Sequence, residues 1–171
     1  MSPATTLVVP VPEAEPAVAV WRQRYDVWAR RGFPAHVTVL GPFLPLERVD
    51  DGVLARLRDV VAGHPQSDFA LASIRVVLGA LMLVPDRIDY FAALAKALVR
   101  AWPEARSRRP STWFVGPHLT VARGFSPVAT LRVRRALAPQ LPIAARAAEV
   151  RLVTLADPAQ TVARFELGAG R

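Results

Sequence analysis

The chain has 171 residues, more than half of them apolar and about a fifth charged, which suits one packed domain and argues against a disordered chain. It contains no cysteine, so disulfides, thiolate-bound zinc and thiol catalysis are excluded together. The net charge is +8, carried almost wholly by arginine with Lys96 as the single lysine, which fits either an anionic partner such as a phosphate ester or RNA or a generally basic surface.

The first residues lack a basic leader, and Pro10 and Pro12 interrupt the opening apolar run. No secretory leader is expected, no uncharged stretch of about 18 apolar residues suggests a membrane span, and the expected location is the cytoplasm. Thr5–Val11 is short, apolar and β-branched, and reads as a strand. Residues 13–31 place Val18, Trp21, Tyr25 and Trp28 at helical spacing, with Pro16 tolerated only in the first turn and Gly32 as the stop. Residues 35–40 alternate as a second strand, closed by Gly41-Pro42. Asp50 or Asp51 can cap a helix to about Gly63. Residues 68–77 and 80–84 form a strand pair around Gly79, and Asp89 can cap a helix that buries Phe91, Leu94, Leu98 and Trp102. Residues 104–116, with Arg106, Arg108, Arg109, Trp113 and Phe114, read as a loop. A short strand follows at 118–122. Ser126-Pro127 then opens a helix to about Ala138, and 143–155 with 161–167 make a last strand pair. No interdomain linker is visible, so residues 1–171 are expected to be one domain.

Two of these strands carry the same motif. One reads His36-Val37-Thr38-Val39 and the other His118-Leu119-Thr120-Val121. In a strand, residues two apart share a face. His36 and Thr38 therefore share one face, His118 and Thr120 share one face, and the valines and leucine take the opposite, apolar side. Each motif is followed by a helix and two strands, so the organisation repeats along with the motif. One His-X-Thr would be a polar residue on a half-buried strand; two of the chain's three histidines in one frame point to a site.

Histidine titrates near ~6.5, so one ring can accept a proton while another donates one at neutral pH. That division of labour suits a phosphodiester, with one histidine deprotonating the nucleophile and the other protonating the leaving oxygen. Each threonine hydroxyl can bind a non-bridging oxygen or orient its histidine. Arg123, five residues beyond His118, is either a phosphate-binding arginine at the rim or a surface arginine at a strand end; strict alternation puts it on the Val121 face. His64 has no threonine partner and reads as structural. Neither motif histidine has a second metal ligand at i+2 or i+4, so no metal or other cofactor is expected. Trp113 and Phe114 would either stack on a base or anchor the loop, and Arg106–Arg109 would form either a basic flap or a solvated loop.

The segments 32–43 (Gly-Phe-Pro-Ala-His-Val-Thr-Val-Leu-Gly-Pro-Phe) and 117–123 (Pro-His-Leu-Thr-Val-Ala-Arg) resemble the two signatures of the two-histidine (2H) phosphoesterase superfamily, in its 2′-5′ RNA ligase-like and cyclic phosphodiesterase branch. The resemblance spans essentially the whole chain. It implies an α+β fold of two similar lobes with antiparallel sheets about a pseudo-two-fold axis, each lobe giving one His-X-Thr strand to a central cleft. It further implies metal-independent phosphodiesterase activity, with His36 and His118 catalytic, and Thr38, Thr120 and Arg123 available to the phosphate. The expected partner is a small nucleotide or an RNA terminus, with neither DNA nor membrane; a non-catalytic nucleotide- or RNA-binding module is the competing expectation. Gly41 departs from the pattern, since relatives often carry an aromatic there, and is expected to open that end of the cleft.

Overall fold

The computed structural model describes residues 2–108, 116–124 and 126–169, without the side chains of residues 106–108. Arg109, Trp113 and Phe114, read from the sequence as loop residues beside the cleft, lie outside the described residues, as do the side chains of Arg106 and Arg108.

Among the described residues, eight strands form two four-stranded antiparallel sheets. The first contains β1 (Thr5–Pro10), β2 (His36–Leu40), β7 (Glu149–Thr154) and β8 (Thr161–Glu166), in the order β2-β1-β7-β8. The second contains β3 (Ser67–Val77), β4 (Ala80–Pro85), β5 (Leu119–Arg123) and β6 (Ile143–Ala147), in the order β5-β4-β3-β6. The two orders correspond position by position. The strands β1 and β4 are buried along their whole length, as apolar strands with partners on both edges and cover on both faces must be. The outer strands β6 and β8 keep exposed residues on one side. The motif strands β2 and β5 each form the edge of their sheet and contact one another.

The helices lace the sheets together. α1 (Glu15–Tyr25) joins β1 to β2 yet packs on β5, while α4 (Ile88–Ala101) joins β4 to β5 yet packs on β2. The short α2 (Val27–Arg30) follows α1, α3 (Asp51–Ala62) packs on β8, and α5 (Pro127–Leu137) leads from β5 to β6. One hydrophobic core runs through both sheets; it takes Val37 and Val39 from β2, Leu119 and Val121 from β5, and Phe91, Leu94 and Leu98 from α4. The apolar side of each His-X-Thr strand is thus its anchor.

Helix starts follow local chemistry. The Asp50 side chain accepts from the Val53 amide at 2.8 Å, and Ser126 accepts from the Ala129 amide at 3.2 Å. Asp89 does not cap α4: the helix begins at Ile88, and Asp89 lies in its first turn beside Arg87, 3.7 Å away, where a carboxylate still favours the dipole. The helix expected over residues 13–31 is broken at Asp26, whose backbone is extended and whose side chain caps α2 at the Trp28 amide, 3.2 Å away. The single strand expected over 143–155 is two strands in different sheets. β6 runs out of partner where Ala147 meets Ser67, the first residue of β3, and the chain then crosses to lie between β1 and β8. The strands that follow the His36 motif likewise join the sheet of His118, not its own.

Candidate active site

The edges of β2 and β5 face a cleft of about 200 Å³ lined by His36, Thr38, His118, Thr120 and Arg123. All five residues singled out in the sequence are therefore brought together. His64 is elsewhere, its ring tilted against that of Tyr90 with the centroids 4.9 Å apart.

Each histidine is held in the same way. His36 Nδ1 donates to the Pro34 carbonyl at 2.7 Å, and His118 Nδ1 donates to the Gly116 carbonyl at 2.7 Å. A carbonyl can only accept, so the proton of the neutral ring sits on Nδ1 and Nε2 is left as a lone-pair base or, when protonated, as a donor. Gly116 reaches this geometry with φ +77°, a conformation that glycine adopts without steric cost. Burial is the main force lowering the pKa of both rings, because it disfavours the imidazolium. His36 is pushed down to about 4; burial is opposed by the Pro34 hydrogen bond and reinforced by Arg22, His118 and Arg123. His118 is also lowered, chiefly by burial, with Arg123 adding to it and the Gly116 hydrogen bond opposing.

Strict alternation fails at Arg123, and a β-bulge is the reason. Opposite β5, Met82 pairs with Thr120 and Leu81 with Ala122, so Val121 is an extra residue on the edge strand. A bulge resets the facing of the residues beyond it, and Arg123 joins Thr120 on the cleft side, donating from Nη2 to Thr120 Oγ1 at 3.1 Å. Gly124, at φ +63°, then turns the chain away. The strand β2 has its bulge at the matching place: Val8 pairs with Thr38 and Leu7 with Leu40, leaving Val39 unpaired. The residue matching Arg123 is Gly41, and it too lines the cleft. One rim position therefore holds a guanidinium while its counterpart holds no side chain.

Nothing larger than glycine fits at Gly41. A Cβ there would collide with Thr6 Oγ1, which is buried and donates to the Leu40 carbonyl at 3.2 Å. Gly41→Ala is expected to cost about 1–3 kcal/mol through overpacking, read by urea unfolding. Thr6→Ala should cost less in the Gly41→Ala background than alone. Wild-type stability of Gly41→Ala, or strict additivity of the pair, would contradict this packing.

The remaining lining is lopsided. The first lobe adds Asp26, Trp28, Phe33, Pro42 and Leu155, with Trp28 edge-on to Phe33 at 5.3 Å and Phe33 beside His36 at 5.4 Å. Sequence reasoning missed this wall. Trp28 reads as helix core until Asp26 is seen to end the helix, and the signal was available in Asp26 itself, an acid two residues before a tryptophan, where an N-cap belongs. Among the described residues there is no group of three or more His, Asp or Glu that could hold a metal ion, and no helix is long and apolar enough to cross a membrane.

This fold is shared with known proteins. The family model described as the 2′-5′ RNA ligase superfamily matches residues 10–158, and the chain belongs to that superfamily. Its function is accordingly of the phosphoesterase or RNA-ligase type. Escherichia coli LigT complexed with NADP+ has a similar structure, at TM-score 0.60 and 18% identity over 98% of this chain and 99% of that one. The same protein complexed with 3′-AMP gives TM-score 0.60 and 16% identity over 98% and 99% of the two chains. TT0787 of Thermus thermophilus gives 0.59 and 18%, over 98% and 100%. No curated protein matches the chain.

Proposed function

We propose that this protein is a metal-independent phosphodiesterase that hydrolyses, or reversibly transesterifies, a cyclic or 2′-5′ phosphodiester in a nucleotide or RNA end. The observation that carries the reading is the matched pair of histidines in one cleft, each with Nδ1 tied to the backbone and Nε2 free for proton transfer. On a 2′,3′-cyclic phosphate, a water oxygen attacks phosphorus as one Nε2 takes its proton. The bond from phosphorus to the 2′ or 3′ oxygen breaks as the other histidine donates its proton to that oxygen. Thr38 and Thr120 offer hydroxyls to the non-bridging oxygens, and Arg123 supplies fixed positive charge where negative charge grows.

The aromatic wall of Trp28 and Phe33 favours a ring on one side of the phosphate. The nucleotides bound by LigT in its NADP+ and 3′-AMP complexes are consistent with such a ligand. The test is a panel of 2′,3′-cyclic mononucleotides, 2′-5′ and 3′-5′ dinucleotides and cyclic-phosphate oligonucleotides, assayed with EDTA present. Turnover of a cyclic or 2′-5′ ester, undiminished by chelation, is expected. Tight binding without turnover would favour the binding-module reading, and loss on chelation restored by zinc would overturn the metal-free one. Affinity should fall only shallowly with salt, as for a ligand engaging one or two phosphates.

A further inference from the structure

The chain entering β2 is held by an ionic frame whose Arg22 and Asp26 are buried and whose Glu15 is partly exposed. Arg22, on α1, is 2% exposed. Its Nη1 donates to the Phe33 carbonyl at 3.3 Å and lies 3.8 Å from Glu15 Oε1, while its Nη2 donates to Asp26 Oδ2 at 3.3 Å. Glu15 Oε1 in turn accepts from the Ala35 amide at 2.6 Å. The frame therefore grips Phe33 and Ala35. Between them stands Pro34, whose carbonyl holds the His36 ring. On its other side, Asp26 Oδ1 caps the Trp28 amide and so places the aromatic wall.

A buried ion pair is poor evidence of stabilisation, because desolvation offsets its attraction. Arg22 makes the case sharper, since its Nε is buried with no hydrogen-bond partner. What the frame does provide is geometry at one histidine and a fixed cation near it. Among the described residues, the charged and titratable groups about His36 are Arg22, Glu15 and Asp26 on the α1 side, and His118 and Arg123 from the other lobe. A fixed cation disfavours the imidazolium and so suits a ring that must receive a proton.

We propose that Arg22 is a positioning residue for the phosphodiester reaction, and the inference rests on that functional reading: with Glu15 and Asp26 it sets residues 33–35 so that His36 acts as the base, with His118 as the acid. The arginine touches no reacting atom; it acts through the Pro34 carbonyl and through its charge.

Arg22→Met alone would strand the Asp26 carboxylate in the interior and risks unfolding. The test therefore uses R22M/D26N, which removes both charges and leaves an amide oxygen to cap Trp28, beside R22K, which keeps the charge but not the planar fork. Folding is checked by circular dichroism, and the ring nitrogens of both histidines are titrated by ¹⁵N NMR. In R22M/D26N the His36 pKa should rise by up to about one unit, the acidic limb of kcat/KM should rise with it, and the alkaline limb should stay. Its kcat should fall roughly tenfold as the ring loses its fixed orientation. R22K should restore the acidic limb without restoring kcat. A folded R22M/D26N with wild-type His36 titration and acidic limb would overturn the proposal; movement of the alkaline limb with His36 would make His36 the acid and overturn it equally. The NMR titration needs no substrate. If the wild type turned over no ester in the panel, the functional reading would fail, while the titration would still show whether Arg22 governs the His36 ring.

Discussion

Replacing either His36 or His118 with alanine is expected to lower kcat about 10²–10⁴-fold, the usual worth of one positioned acid or base. The two rings would serve one transition state, so their losses should not multiply. The double variant is expected within about tenfold of the worse single variant. Neither substitution should unfold the protein, because the apolar residues of each motif, Val37 and Val39 or Leu119 and Val121, keep their places in the core. Single-turnover rates on a cyclic mononucleotide, with thermal unfolding as the control, decide the matter. A folded single variant that retains more than a tenth of wild-type kcat would remove its histidine from the chemistry. Losses that multiply would mean that the two act on separate steps.

The second large effect is on pH. Both ring pKa values lie below the ordinary 6.5, His36 at about 4. A base must be neutral, so kcat/KM should climb from acid through the pKa of His36. An acid must be protonated, so it should fall again through that of His118, which lies below 6.5. Since kcat/KM reports the free enzyme, its maximum is expected on the acid side of neutrality. By pH 8 it should have fallen far below its maximum, because an imidazole with a lowered pKa is then almost wholly neutral. The sign follows from burial: water is withdrawn from both rings, and the charged form suffers. A plateau extending to pH 8 would show that His118 holds its proton more tightly than its surroundings allow, or that it is not the acid.

The legible part of the site was the part that a strand encodes locally. Alternation of period two put His36 with Thr38 and His118 with Thr120 without knowledge of any partner strand. Arg123 was not legible, because its face depends on a bulge, and a bulge exists only relative to the strand opposite; nothing within Val121 announces that Met82 and Leu81 will pair around it. The break at Ala147–Glu149 was hidden for the same reason. Residues 143–155 carry one continuous strand-like pattern, and only the end of β3 decides where the chain changes sheets. Arg22 and Asp26 were concealed differently. They sit four apart, a spacing shared with ordinary surface ion pairs that contribute little, and nothing in that spacing marks them out. That they are buried follows from how the whole chain folds back, which no local pattern records.

The crossed packing of the helices bears on how substrate enters and leaves. α1 belongs to the connection of one lobe and rests on the motif strand of the other, and α4 does the reverse. The chain also passes from the first sheet to the second and back again. Swinging the lobes apart would require peeling both helices from the strands that carry the motifs, at the cost of core contacts on each side. The protein is thus built like a vice with fixed jaws rather than a hinge. The distance between the two motif strands should be the same before, during and after turnover, and exchange of substrate for product must be paced by rim side chains and adjoining loops.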